Sequence, residues 1–130
     1  MLAREGLCMA KAGMTVEQVF ALAAELAGVE RSVSWGSPAL KMKGAGSKLQ
    51  LVACVPTHKS AEPGSLMFRI DRRERGALVE EDSALYYVKP HYEDYDAVLV
   101  RLDRLTPEVA RDLLRVAWSF VGRKRQGRGN

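Results

Sequence analysis

The chain has 130 residues, of which 47% are hydrophobic, 28% charged and 7% aromatic. That is the size and usage of a single domain able to bury its own core without a metal or disulfide staple. Two cysteines, Cys8 and Cys54, are too few for a disulfide framework and suit a reducing, cytoplasmic setting. Nothing reads as a secretory leader, and no stretch approaches the roughly 18 apolar residues of a membrane span, so no membrane partner is expected. The net charge of +4 would suggest a polyanion partner, but its distribution says otherwise. Residues 122–130 carry Arg123, Lys124, Arg125 and Arg128 and no acid. Without these four, 16 basic residues face 16 acidic ones, so the excess belongs to the tail and the body is neutral.

In chain order, residues 1–14 show no periodic pattern and read as a loose extension, or as sequence upstream of a natural start at Met14. Thr15 and Gln18 form a capping box. Behind it Val16, Val19, Phe20, Ala23 and Leu26 make one helical stripe, and Gly28 suits the left-handed stop, predicting a helix over 16–27. The period then changes to two. Residues 33–35 and 39–43 read as strand, broken by Gly36-Ser37-Pro38, and Gly44-Ala45-Gly46-Ser47 reads as a hairpin turn. Residues 48–55 return as a strand, 56–64 as an exposed loop, and 65–70 as a further strand. Asp71 caps a short helix with Glu74 at its third position and Leu78 and Val79 inward. Residues 85–88 and 97–102 are strands around the polar loop 89–96. Thr106 and Pro107 open a last helix with Val109, Leu113, Val116, Ala117 and Phe120 as its buried stripe, ending at Gly122. The domain therefore covers 15–121, and 122–130 read as a disordered basic tail. The order α-β3-α-β2-α predicts an α+β fold, a two-layer arrangement with a mostly antiparallel five-stranded sheet and helices on one face.

No catalytic template is present: no GxSxG, HExxH, CxxC or phosphate-cradling loop. The chain is read as a non-enzyme without cofactor. In the loop His91-Tyr92-Glu93-Asp94-Tyr95-Asp96 an imidazole stands beside carboxylates, a combination several divalent ions accept. No second histidine stands at ligand spacing, so a solvated acidic loop is the reading and no metal is assigned. Lys41, Lys43 and Lys48 alternate along the first hairpin and, with Lys89 and Arg101, offer contacts to phosphates; plain solvation accounts for them equally. Trp35, Pro38, Tyr87 and His91 offer an aromatic pocket with one titratable group. Trp118 and Tyr86 read as packing residues.

Four segments resemble the MmcQ/YjbR-like family of small bacterial proteins. They are the end of the first helix, Leu26-Ala27-Gly28-Val29-Glu30; Ser34-Trp35-Gly36-Ser37-Pro38-Ala39-Leu40-Lys41; Phe68-Arg69-Ile70-Asp71; and the run from Tyr87 to Leu102 containing Pro90-His91-Tyr92. The resemblance implies a "double-wing" fold, likened to DNA-binding domains and secretion chaperones, with no reaction or cofactor attached. Three roles follow as expectations: a DNA- or RNA-binding module using the lysines and the tail, a protein-interaction or chaperone-like module, or a small-ligand site near Trp35 and His91. The oligomeric state is open.

Overall fold

A computed structural model describes residues 13–43 and 49–127, with side chains to residue 122. The lysine Lys48, the expected turn Gly44-Ala45-Gly46-Ser47, Arg128, and the side chains of Arg123, Lys124 and Arg125 lie outside the described residues.

Helix α1 spans Val16–Leu22 and begins at the expected capping box: Thr15 Oγ1 accepts from Gln18 N–H, and Gln18 Oε1 accepts from Thr15 N–H. It tightens into a 3₁₀ turn over Ala23–Glu25 and turns out at Gly28, whose φ is +81°. Strand β1, Val29–Ser34, follows directly, and Ser37–Lys43 (β2) runs back along it. After the described gap come β3, Leu49–Cys54, and β4, Ser65–Arg69. Asp71 caps α2, Arg72–Glu81, by accepting from Arg73 N–H. The short β5, Tyr86–Tyr87, a 3₁₀ turn over Pro90–Tyr92 and β6, Ala97–Arg101, lead to α3, Pro107–Gly127, where Thr106 Oγ1 accepts from Val109 N–H.

The sheet therefore has six strands, in the order β1-β2-β3-β4-β6-β5 with every neighbouring pair antiparallel. The expected count of five is corrected by β1. Trp35 and Gly36, read as the edge of a strand break, are a two-residue hairpin turn with φ of +50° and +77°. Two successive positive φ values match the right-handed twist of the flanking strands, which ordinary turns do not. Strand alternation then sorts side chains onto two faces. Leu40, Met42, Val52, Leu66, Phe68, Val98 and Val100 face the helices and close the main core with Val19, Phe20, Leu113, Leu114 and Phe120. Ala39, Cys54, Met67, Tyr87, Ala97 and Leu99 face the other way, where among the described residues no helix lies; the loops 56–64 and 89–96 cover them through Ala61 and Tyr92.

Three further expectations are corrected. Val116 is exposed, and Ala110, Leu114 and Val121 complete the buried stripe of α3, because the helix meets the sheet on a wider face than one row of residues supplies. The backbone of α3 continues to Gly127, since Gly122 keeps a negative φ and the following Arg, Lys and Gln are good helix formers. Gly13 and Met14 are not loose: their N–H groups donate to the carbonyls of Leu105 and Leu102 at 2.8 and 2.9 Å, and Met14 packs on the core. Among the described residues no helix is long and apolar enough to cross a membrane.

Candidate functional site: an aromatic cleft on the helix-free face

A cleft of about 760 Å³ opens on the helix-free side of the sheet. Leu51, Cys54, Met67 and Ala97 form its floor, Pro56, Thr57 and His58 one wall, and His91, Tyr92 and Tyr95 the other. Trp35, 79% exposed, stands on the rim. Its place follows from the hairpin: the first central position of this turn holds the side chain out from the sheet, and a bulky residue at φ +50° is held there against its own preference.

The two walls meet ring to ring. His58 and His91 stack with centroids 3.5 Å apart and planes 8° from parallel. Tyr92 and Tyr95 pack nearly perpendicular to His91, with ring centroids 4.9 and 5.7 Å away. His58 Nδ1 accepts from Ser60 N–H at 3.1 Å and lies 2.8 Å from Ser60 Oγ. A ring nitrogen that accepts carries no proton, so the neutral His58 has its hydrogen on Nε2. Burial, then the neighbouring His91 and Lys59, hold the His58 pKa below the ordinary histidine value. Asp94 and Asp96, at the cleft, and Glu93 beside it are the acidic groups on the same loop as His91.

The sign of the resulting pH dependence follows. In the unfolded chain His58 takes up a proton near pH 6.5, earlier than in the fold. Stability is therefore whole above that pH and is lost as pH falls through it toward the lower folded value. We expect the melting temperature to drop between pH 7.5 and 5.5, and the drop to shrink in His58→Asn; equal drops in both proteins contradict this.

Arg75 of α2 fixes the second wall. One terminal nitrogen donates to the carbonyls of Tyr92, Tyr95 and Ala97 at 3.3, 3.0 and 2.9 Å, and the other to Glu93 at 3.0 Å. Arg72 adds bonds to the Asp96 carboxylate and the Asp94 carbonyl, each 3.1 Å. The first wall is tied down by Glu62, whose two carboxylate oxygens each accept from Arg101 at 2.8 Å.

Cys54 in the floor is buried. Burial pushes its thiol up to about 11, with Lys41 partly opposing. At pH 8 its thiolate population is small. In a Cys8→Ser background, iodoacetamide should label the native protein at least tenfold more slowly than the protein in denaturant; equal rates contradict the buried thiol.

The expected pocket residues separate. Trp35 and His91 share the cleft. Pro38 lies instead in a groove beside α1 with Val16, Phe20 and Val33. Tyr87 is buried in the sheet, its hydroxyl taking the Glu62 N–H at 2.8 Å and bonding Ser65 Oγ, under the Arg101 guanidinium at 4.3 Å. Trp118 is half-buried, and its Nε1 donates to the Ala27 carbonyl at 2.9 Å. Of the expected phosphate contacts, Lys41 and Lys43 alternate with core-facing Leu40 and Met42 and so lie on the helix-free face, with Glu30 directly across from Lys41. Arg101 is engaged by Glu62, with Lys89 3.9 Å from the same carboxylate. Helix α3, whose backbone runs to Gly127, packs on the other face of the sheet. The sequence reading missed His58, Arg69 and Arg75 as site residues; only their tertiary neighbours mark them. Among the described residues no group of three or more His, Cys, Asp or Glu converges to hold a metal.

No protein-family model and no curated protein matches the chain. Among solved structures, that of the Deinococcus radiodurans protein DR2400, which carries a DUF419 domain, superposes with a TM-score of 0.66 over 86% of this chain and 81% of that one, at 21% identity. The fold resembles a DUF419 domain. At that identity the likeness extends to the arrangement of helices and sheet.

Proposed function

We propose that the protein binds a small planar ligand in the cleft on its helix-free face. The observation that carries this reading is the cleft itself: a concavity of about 760 Å³ with an apolar floor, ringed by His91, Tyr92 and Tyr95 and overhung by an exposed tryptophan. Ligand sites combine such apolar walls with few polar groups. The exposed Trp35 at positive φ adds weight, because backbone held against its preference collects at functional sites. Membership of the MmcQ/YjbR-like family is part of the proposal; it rests on Trp35-Gly36-Ser37-Pro38 and Pro90-His91-Tyr92, and the DUF419 likeness supports it.

A second reading, nucleic-acid binding, is favoured by one observation. Lys41 and Lys43 share the helix-free face with Trp35, and cations beside a stacking ring suit a single strand. The engagement of Lys89 and Arg101 by Glu62 speaks against it. Calorimetric titration with adenosine and with an oligo(dA) decamer separates the two. The ligand reading expects saturable adenosine binding that Trp35→Ala weakens. Oligonucleotide binding that collapses with salt, without adenosine binding, would favour the second.

A further inference from the structure

Arg69 ends β4 and lines the cleft, half-buried. Its Nε donates to the Asp96 carbonyl at 3.0 Å, and its guanidinium carbon lies 5.5 Å from the centre of the Phe120 ring. Among the described residues its two terminal amino groups have no hydrogen-bond acceptor. The neighbouring arginines differ: Arg72 holds the Asp96 carboxylate, Arg75 holds four carbonyls, and Arg101 is gripped by Glu62.

A guanidinium has five N–H donors, no acceptor, and stays charged. Leaving most of those donors unmet in a partly dry site is unfavourable, and a planar anion relieves it by accepting from both terminal nitrogens. Burial lowers the Arg69 pKa, with the Asp96 carboxylate offsetting this in part. Two carboxylates also line the cleft. Asp96 is engaged by Arg72, and Asp94 is exposed at the mouth, where water and salt screen it. The deeper, less screened charge decides the sign of the ligand.

Resting on the ligand-site reading above, we infer that the ligand is an aromatic acid: a planar ring bearing a carboxylate or a phosphate, the ring against His91, Tyr95 and Trp35 and the acid on the terminal nitrogens of Arg69. Two matched pairs test it by calorimetry on the full chain: 2-naphthoate against 2-naphthamide, and AMP against adenosine. At least one acid is expected to bind tenfold or more tighter than its neutral partner, and the pair that discriminates tells carboxylate from phosphate. Arg69→Gln should abolish the preference while leaving the neutral compound's affinity, and Arg69→Lys, which keeps charge but not the fork, should retain part of it. Neutral compounds binding as tightly as the acids would leave the cleft a ligand site and overturn the acid. So would a preference that survives in Arg69→Gln. If none of the four binds at millimolar concentration, the ligand-site reading falls, and the acid with it.

Discussion

Arg75→Ala is expected to leave a folded protein whose cleft has lost its second wall. Arg75 lies outside the main core, so the sheet and α3 keep their packing. What goes is a single guanidinium satisfying the carbonyls of Tyr92, Glu93, Tyr95 and Ala97, three of them in a loop without regular ladder bonds. Bonds to a charged donor are worth roughly 1.5–3 kcal/mol each when buried, and these are shared and half-exposed, so a total near 2–3 kcal/mol is reasonable. Amide hydrogen exchange over 89–96 should accelerate far more than in β4 or α3, and binding of planar probes should fall at least tenfold. Arg75→Lys, which can reach one or two carbonyls, should fall between. Unchanged exchange and binding in Arg75→Ala would mean the wall holds itself.

Trp35→Asn should move stability and binding in opposite directions. Asparagine before glycine is the favoured pair for a two-residue hairpin with both φ values positive, whereas a bulky residue there is strained by about 1 kcal/mol. Trp35 is 79% exposed, so its removal sacrifices little packing. The variant should gain roughly 0.5–1 kcal/mol, a rise of a few degrees in melting temperature. If the indole stacks on the ligand, the same change removes roughly 1–3 kcal/mol of binding. A variant that is both less stable and equally good at binding would contradict both halves.

The contrast between what could be read from the sequence and what could not is physical. Thr15 with Gln18, Asp71, and Thr106 with Pro107 marked their helices correctly because a cap is a local bond between residues two or three apart. The alternation of β2 put Lys41 and Lys43 on the polar side for the same local reason. Residues 33–35 read as strand, yet the tight hairpin that makes β1 and β2 two paired strands was hidden, because Trp35-Gly36 is not the dipeptide that such a turn prefers. His58 sits in a loop whose prolines and serine announce exposure, and only the fold lays its ring on His91. Arg101 looks free on an alternating strand, yet its partner Glu62 lies 39 residues away. Of the four expected pocket residues, Trp35 and His91 line one cleft. Pro38 and Tyr87 were misplaced because strand register decides which face each meets.

We propose that this protein meets its ligand in the helix-free cleft. The deciding experiment is an amide NMR titration of the full chain with 2-naphthoate and, separately, with AMP. Saturable shifts should concentrate at Trp35, Cys54, His58, Arg69, His91 and Tyr95 and weaken in Arg75→Ala. Shifts absent throughout, or confined to α1 and the chain end, would contradict it.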